Sequence, residues 1–365
     1  MKKTLISVAV LGAMSSAAFA QSNVTIYGIV DAGISNERGN YNGNTTTVTS
    51  GAMNATRVGF RGTEDLGGGL SAIFTLEAGA RVDTGALDNT NNTLFNRQAF
   101  VGLRSTTAGT LTLGRQYTPW YNALVQVGDP FAAGLAGSAK NLFPANGINV
   151  RNSNSVVYQT PVYNGFSAEV FYGAGEQVGD SDAQRQAGAA VSYSNGPLNA
   201  RLAYNNRNND TVAAGLTTER GIGRNSLLAV NYDFKVAKAF FMYGQNKGLQ
   251  STAYANGTAY LPTATPQLTA RASQDSRDYL VGATVPVNAA GKVIVSYIRA
   301  DDRESFNQDA SQWAVAYTHE LSKRTTGYVS YGRINNKNGA SFTVGNNSDV
   351  GQGDSAFNVG VRHSF

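Results

Sequence analysis

The side chains with the clearest chemical potential are arginines on one face of an alternating segment. In residues 55–65, Val58 and Phe60 share an apolar face, so Arg57 and Arg61 share the opposite face. Guanidinium groups are permanent cations that attract and orient anions. This spacing therefore indicates a charged surface and not a bond-breaking centre.

The next segment continues the pattern with the opposite sign added. In residues 70–82, Phe74 and Leu76 lie on the apolar face, and Glu77 and Arg81 lie on the other face. Basic and acidic side chains that face the same enclosed space can set up an electric field across it. We therefore predict that Arg57, Arg61, Glu77 and Arg81 face the same aqueous interior.

Signals for enzymes and metals are weak. The chain has neither G-x-S-x-G nor H-E-x-x-H, and His319 and His363 share the parity of apolar neighbours. Asp301 and Asp302 sit in a charged loop, and Gly67–Gly69 reads as a turn because no Lys-Ser/Thr follows it. We expect no enzyme activity, no cofactor and no cysteine-based metal site. The sequence neither excludes nor locates a calcium or magnesium site built from loop carboxylates.

Alternating segments of strand length follow one another along the whole chain. A period of two indicates strands with unlike environments on their two faces. Sixteen such segments are predicted, near 24–34, 55–65, 70–82, 95–106, 110–116, 153–161, 165–174, 184–194, 198–207, 223–234, 236–247, 275–286, 291–301, 309–320, 324–334 and 355–365. Segment 236–247 does not alternate, so its facing is left open.

The connections between these segments alternate between short and long. Short ones, such as Asp65–Gly69 and Asn195–Pro197, are rich in Gly, Asn and Pro, which suit tight reversals. Long polar ones lie near 35–54, 83–94, 117–152, 175–183, 208–222, 248–274, 302–308 and 335–354. This asymmetry is typical of outer-membrane barrels, with turns in the periplasm and loops outside.

The fold class follows from these observations. Backbone groups inside a bilayer have no water to bind, so a spanning sheet must close. Sixteen strands enclose an aqueous lumen. We predict an all-β, 16-stranded antiparallel transmembrane barrel, because a soluble propeller or sandwich would show a blade repeat and no asymmetry of connections. The last segment, Phe357–Phe365, alternates strictly and is expected to close the barrel.

The first twenty residues predict export. Lys2 and Lys3 precede a short apolar stretch and an Ala18-Phe19-Ala20 site, which is the pattern of a signal peptide. We therefore expect 1–20 to be cleaved and 21–365 to form the barrel. Removing two lysines and no acid lowers the net charge from +5 to +3, too little to predict a nucleic-acid partner.

Several ordered motifs resemble one family, the trimeric general porins of Gram-negative outer membranes in their β-proteobacterial branch. The motifs are Ser22–Asp31, Arg57–Leu70, Leu113–Arg115, Asn154–Tyr158, Glu320–Thr325 and Val359–Phe365. The resemblance implies a homotrimer in which each barrel has its own pore. It also implies contacts with outer-membrane lipids and lipopolysaccharide, and a third extracellular loop that folds inward to narrow the pore.

That resemblance also implies a constriction. The third long connection, about 117–152, carries four aromatic residues and one acid, Asp129. The family places arginines opposite acids of this loop, and Arg57, Arg97 and Arg151 match the arginine positions, with Glu77 on the wall. By parity alone, Arg97 stays ambiguous, since it shares a face with outward neighbours.

These expectations describe an outer-membrane channel for passive diffusion of small hydrophilic solutes and ions. Basic candidates at the narrowing outnumber Glu77 and Asp129, which predicts a modest preference for anions. Two alternatives stay open: an outer-membrane hydrolase, and a binding module, either an adhesin or a substrate-specific channel. A substrate-specific channel would need stacked aromatics along the lumen, which the sequence does not offer as a continuous series.

Overall fold

Antiparallel pairing runs from the first strand to the last and closes on itself. A computed structural model of the chain describes residues 23–39, 43–88, 93–145, 147–253 and 273–365. Closure joins the two terminal strands, with Ile29 opposite Ser364 and Arg38 opposite Ser355. The predicted sixteen-stranded barrel is confirmed, and the predicted signal peptide, 1–20, lies outside the described residues.

The strands of the wall match the sixteen predicted segments. One wall position is filled by two strands in succession, Thr45–Ser50 and Arg57–Gly67, and Thr211–Ala213 with Leu216–Thr218 forms a small separate hairpin. The strands are β1 (Asn23–Arg38), β2 (Thr45–Ser50), β3 (Arg57–Gly67), β4 (Leu70–Gly79), β5 (Gln98–Ser105), β6 (Gly109–Tyr117), β7 (Arg151–Gln159), β8 (Phe166–Gly173), β9 (Gln186–Asn195), β10 (Leu198–Asn208), β11 (Thr211–Ala213), β12 (Leu216–Thr218), β13 (Ile222–Asp233), β14 (Lys238–Lys247), β15 (Asp275–Pro286), β16 (Gly291–Asp302), β17 (Ala310–Glu320), β18 (Thr325–Asn336) and β19 (Ser355–Ser364).

The first long connection was predicted wrongly. Residues 35–54 were expected to be a loop, but β1 continues to Arg38 and β2 occupies Thr45–Ser50. The upper half of β1 pairs with β2 and its lower half pairs with β3. Polar β-branched residues in β2 satisfy both strand propensity and solvent exposure, so polarity alone did not mark a loop. Between β2 and β3, residues 51–56 leave the wall.

Outward and inward faces follow the predicted parity. Phe357, Val359 and Val361 of β19 are exposed on the outer surface, while Asn358 is buried on the inner side. The ambiguous strand β14 has a different explanation. Its Phe241 faces outward, but its Met242 is fully buried inside the barrel, so both faces are apolar and alternation disappears.

The segment between β6 and β7 folds into the barrel, and we call residues 118–150 the inner loop. It contains a short helix α1 (Pro119–Ala123), a π-helical turn (Leu124–Gly128), a 3₁₀ turn (Ala139–Asn141) and a helix α2 (Gly147–Val150). Thr118 caps α1 by accepting from the Tyr121 N–H at 3.1 Å, and Pro119 occupies the first turn. Among the described residues, no helix is long and apolar enough to cross a membrane.

An apolar cluster holds the inner loop against one half of the wall. Trp120, Leu124 and Phe143 of the loop are fully buried. The wall residues of this cluster are Ala190, Ala203, Leu227, Ala229, Met242, Leu280, Ile298, Ala300, Ala310, Ile334 and Ala356. They belong to β9, β10 and β13–β19, so most apolar contacts of the inner loop lie away from the face formed by β3–β7.

The facing of β7 and β8 gives a stability test. Val170 points outward, is 56% exposed and lies opposite Tyr158. Gln159, which follows Tyr158 in β7, faces inward opposite Glu169. We expect Val170→Arg to lower the free energy of unfolding by about 2–4 kcal/mol, because a charge at mid-bilayer is poorly solvated. Gln159→Arg, at the same height inside the lumen, should change it by less than about 1 kcal/mol. Urea titration of protein folded in lipid vesicles measures both, and equal losses would contradict the assigned facing.

Candidate functional site

One buried carboxylate organises the face formed by β3–β7. Glu77 on β4 is 2% exposed and lies among three polar side chains. Arg97 donates from Nε to Glu77 Oε1 at 2.6 Å, and Arg57 Nη1 lies 3.6 Å from the same oxygen. Tyr27 donates from its hydroxyl to Oε2 at 3.0 Å. A carboxylate that accepts several bonds of this kind is held ionised and fixed in one orientation.

Tyr117 at the end of β6 connects a third arginine to this group. Arg97 Nη2 donates to the Tyr117 hydroxyl at 2.8 Å, and Arg151 Nη2 donates to it at 3.0 Å. The Arg151 guanidinium also lies 4.7 Å from the centroid of the Tyr117 ring. Tyr121 stacks on the Tyr117 ring, with ring centroids 5.3 Å apart. A phenol between two guanidiniums separates two like charges and stabilises both.

The group carries excess positive charge. We call Arg57, Arg97, Arg151, Glu77 and Tyr117 the arginine cluster. Three guanidiniums and one carboxylate leave a formal charge of +2. The Arg57 Nε–H donates to the Ala55 carbonyl at 3.1 Å, which fixes its side chain without neutralising it.

The structure gives the direction of the Arg97 side chain, which parity left ambiguous. β5 begins at Gln98, so Arg97 precedes the strand and alternation does not determine its direction. Its backbone N–H still reaches the Glu77 carbonyl at 3.2 Å, and its side chain turns inward to the Glu77 carboxylate. It is 5% exposed.

The inner loop contributes a cation toward the arginine cluster. Lys140 is half-buried, and its Nζ donates to the Asn347 carbonyl at 2.7 Å. Burial, together with repulsion from Arg151 and Arg97, lowers the pKa of Lys140 to about 8. Because the neighbouring guanidiniums affect this amine, the positive field extends from the wall to the loop.

Asp129 is not brought to the arginine cluster. It is 3% exposed and accepts three backbone N–H bonds, from Phe131 at 2.9 Å, Ala133 at 2.8 Å and Ala139 at 2.9 Å. These bonds hold a turn in which Ala133 and Leu135 have positive φ angles of 62° and 55°. Burial raises the pKa of Asp129 to about 6, although the three donors oppose that shift. This acid shapes the loop and does not face the wall.

Two other predicted residues lie at different heights. Arg61 is two inward positions nearer the short turns than Arg57, and its guanidinium lies 5.1 Å from the Tyr27 ring centroid. Arg81 lies beyond the end of β4, where it forms ion pairs with Asp88 at 3.0 Å and Asp349 at 2.8 Å. Neither residue contacts Glu77, so the seven candidates divide into one cluster and three separate sites.

Residues 51–56, which we call the inward bend, brace the inner loop from the other direction. Asp31 is fully buried and accepts from the N–H groups of Met53 at 2.9 Å and Asn54 at 2.7 Å. The Tyr328 hydroxyl donates to its other oxygen at 2.6 Å. These bonds fix the bend at the seam between β1, β18 and β19.

The bend and the loop touch directly. The Leu135 N–H donates to the Ala52 carbonyl at 2.6 Å. Beside it, a Cβ added to Gly134 would stand 2.1 Å from the Met53 carbonyl oxygen. Only glycine fits such a close approach of two backbones. The inner loop, the inward bend and the arginine cluster therefore frame the lumen at this level.

Below this frame lies a cavity of about 380 Å³ between β4–β8 and the inner loop. Asn122 and Gln126 line it from the loop, so the loop side carries amides there. On the wall, Arg201 and Glu169 pair directly and neutralise each other. An aqueous route thus continues past the arginine cluster toward the short turns.

Sequence reasoning missed four members of this region. Lys140, Tyr27 and Tyr117 act through contacts between distant strands or loops, and Asp31 acts through backbone donors of the bend. Parity marks Tyr27 as inward once Val58 and Phe60 are outward, because Tyr27 pairs with Gly59. Nothing in the local sequence marks the other three.

The two histidines, His319 and His363, lie apart from the arginine cluster. His319 Nδ1 lies 3.0 Å from the Tyr317 hydroxyl, and His363 Nδ1 lies 2.9 Å from Thr325 Oγ1. Within the part of the chain that the structure describes, no three His, Cys, Asp or Glu side chains are grouped as a metal site requires.

Comparison with known proteins agrees with the barrel fold. The model of the Gram-negative porin family matches residues 7–339. The chain is 32% identical to an outer membrane porin protein of Bordetella pertussis and 33% identical to outer membrane porin protein 32 of Delftia acidovorans, each over the full length of both chains. It also superposes on the solved anion-selective porin from Comamonas acidovorans with a TM-score of 0.74 at 29% identity, covering 94% of this chain and 100% of that one.

A closed sixteen-stranded barrel, an aqueous route narrowed from inside and full-length similarity to known porins agree with one another. The chain belongs to the Gram-negative porin family and forms an outer-membrane channel for passive diffusion.

Proposed function

We propose that this porin prefers anions and that the arginine cluster with Lys140 sets the preference. Arg57, Arg97, Arg151 and Lys140 carry four positive charges against the one negative charge of Glu77, a net charge of +3 for this group. Arg81 with its two partners Asp88 and Asp349, which also act on Lys140, adds −1. In a narrow aqueous passage with low-dielectric walls, fixed charges focus the field and concentrate counter-ions. The burial of Asp129 away from the cluster is the observation that supports this most strongly. The solved relative from Comamonas acidovorans is itself an anion-selective porin.

We further propose that the functional unit is a homotrimer in the outer membrane, exported by cleavage of residues 1–20. Bordering lipids and lipopolysaccharide would contact its outer face, where Val101, Val170 and Val281 are among the exposed apolar side chains. The permeating species would be small ions and small hydrophilic solutes.

We propose no enzyme activity for the chain. A hydrolase would need an activated nucleophile beside a base, and both histidines lie on the outer surface beside Tyr317 and Thr325. The adhesin alternative draws support only from the long loops, and the inner loop and inward bend instead point into the lumen.

Planar-bilayer recording tests the channel and its assembly together. Purified protein should insert as large stepwise conductances that open in groups of three, because each barrel of a trimer carries one route. A sample heated until the trimer dissociates on a gel is the control. Single independent steps would contradict the trimer, and the absence of conductance would contradict the channel.

The sign of selectivity is tested by removing two cations. Arg57→Ser with Arg151→Ser lowers the net charge from +3 to +1, so the chloride-over-potassium permeability ratio should fall toward one or reverse. The effect should be largest at low salt, since the Debye length is about 30 Å at 0.01 M and about 3 Å at 1 M. Reversal potentials under a salt gradient measure it. Arg303→Ser, on an exposed loop beside Asp301, is the matched control and should change little.

A double variant with unchanged selectivity, or a wild-type channel that prefers potassium at low salt, would contradict the assignment. Neither Arg57 nor Arg151 contributes to the apolar cluster, so the variant should keep its trimer on an unheated gel.

Selectivity should also depend on pH. The pKa of Lys140 is lowered to about 8, so its amine loses its proton as the pH rises from 7 to 9. The net charge then falls from +3 to +2, and the anion preference should weaken over that range. Lys140→Met removes the titrating group, so its selectivity should be lower at pH 7 and flat up to pH 9. A wild-type profile with no change between these values would contradict the placement of Lys140 at the passage.

A further inference from the structure

Strand β5 presents an unusual row of side chains to the lumen. Its inward positions are Gln98, Phe100, Gly102 and Arg104, since Gln98 pairs with the inward Glu77. Gly102 has no side chain, and a Cβ built there would stand 2.7 Å from Thr112 Cγ2, so the Thr112 methyl group covers this position between the ring and the guanidinium. The row descends from the arginine cluster toward the short turns.

Neighbouring strands extend the apolar part of this row. Ile73 of β4 lies opposite Gly102, and Val157 of β7 lies opposite Thr112 of β6. Ile73 and Val157 are buried but do not belong to the clusters that the inner loop covers, and Phe100 is half-exposed. Phe100, Ile73 and Val157, which we call the apolar patch, line one cavity, and Phe100 is the member that the water of the lumen reaches.

Two cations border the patch. Arg104 is exposed, and among the described residues no carboxylate lies within ion-pairing distance of it. Arg61 is exposed as well, and it lies opposite Thr75, which in turn lies opposite Phe100. Both guanidiniums are thus available to an anion that rests on the apolar surface.

The space around these residues has the size of a small organic molecule. One cavity of about 360 Å³ has Arg61, Phe100 and Arg104 in its wall, and the cavity of about 380 Å³ below the frame shares Ile73, Phe100 and Arg104 with it. Binding pockets for small molecules combine an apolar surface with a few placed polar groups in this way.

We propose that Phe100, Ile73, Val157, Arg104 and Arg61 form a subsite, on the periplasmic side of the narrowing, for organic anions with a flat apolar body. An aromatic carboxylate is the simplest such ligand. Its ring packs against Phe100, and its carboxylate accepts from Arg104, with Arg61 as a second donor. The subsite deepens the proposed function, because it names a class of anion that the channel holds longer than others.

The subsite changes which anions interact with the channel. Acetate and benzoate carry the same charge, so the arginine cluster cannot separate them by electrostatics. The apolar patch can, because only benzoate has a ring to remove from water. Benzoate should therefore reside longer and interrupt the chloride current more than acetate does.

The test is block of single-trimer chloride current in a planar bilayer by sodium benzoate, with sodium acetate as the matched salt. Wild-type protein should be blocked by benzoate at about tenfold lower concentration than by acetate, the ratio that corresponds to 1.4 kcal/mol. Phe100→Ala should abolish that ratio and leave acetate block unchanged. Arg104→Gln should weaken benzoate block as well, while Val101→Ala, on the outward face of the same strand, should leave both unchanged.

The outcomes separate this subsite from the proposed selectivity. In the Arg57→Ser, Arg151→Ser background, the benzoate-to-acetate ratio should persist although chloride preference falls; its loss would assign benzoate to the arginine cluster and overturn the subsite. Equal block of the wild type by both salts would overturn it too. A wild type that prefers potassium but still shows the Phe100-dependent ratio would refute the proposed anion preference and leave the subsite supported. Unheated gel mobility and unitary conductance confirm that each variant is folded.

Discussion

The route through this barrel depends on one apolar contact, between the inner loop and the wall of β9–β19. The lumen is filled with water, so the hydrophobic effect acts there, as it does not on the lipid face. Burying Trp120, Leu124 and Phe143 contributes about 1.5–3 kcal/mol for each side chain. This contact fixes the loop on one half of the lumen and leaves the other half open.

The electrostatics follow from that placement. Because the loop covers the apolar half, the open half is lined by β3–β7, where the arginine cluster stands. Glu77 fixes Arg97 and Arg57, and Tyr117 places Arg151 beside them. The loop itself turns Asp129 inward to its own backbone and extends Lys140 toward the cluster. The field of the passage is therefore a consequence of how the loop packs.

Sequence periodicity predicted the wall well because the bilayer enforces it. Charge is costly at outward positions near mid-bilayer, so those positions are mostly apolar and parity gave the facing of Arg57 and Glu77 correctly. Parity failed where a strand meets protein on its inner face. β14 carries Phe240 and Met242 inward against the inner loop, so its pattern appeared irregular. In hindsight, that irregularity marks the surface on which the loop rests.

Parity gives no direction to residues outside regular strands. Arg97 precedes β5 and Arg81 follows β4, so counting positions could not direct their side chains. Asp129 is determined by three backbone donors within ten residues, and such a turn has no periodic signal. Lys140 meets Asn347 and the repulsion of Arg151 across the lumen, contacts that exist only once the loop has folded.

The sign of the field at the narrowing thus depends on which acids are already engaged. Asp129 stabilises a turn, Asp88 and Asp349 pair with Arg81, and Glu169 pairs with Arg201. Glu77 is the acid that remains beside these cations. It holds Arg57 and Arg97 in place, and its single negative charge offsets only part of their positive charge. An acid count taken along the chain says little about such a channel, because a carboxylate already bound to its own donors contributes little field to the water beside it. Selectivity in a passage of this kind is decided by the placement of a few side chains, and the packing of the inner loop decides that placement.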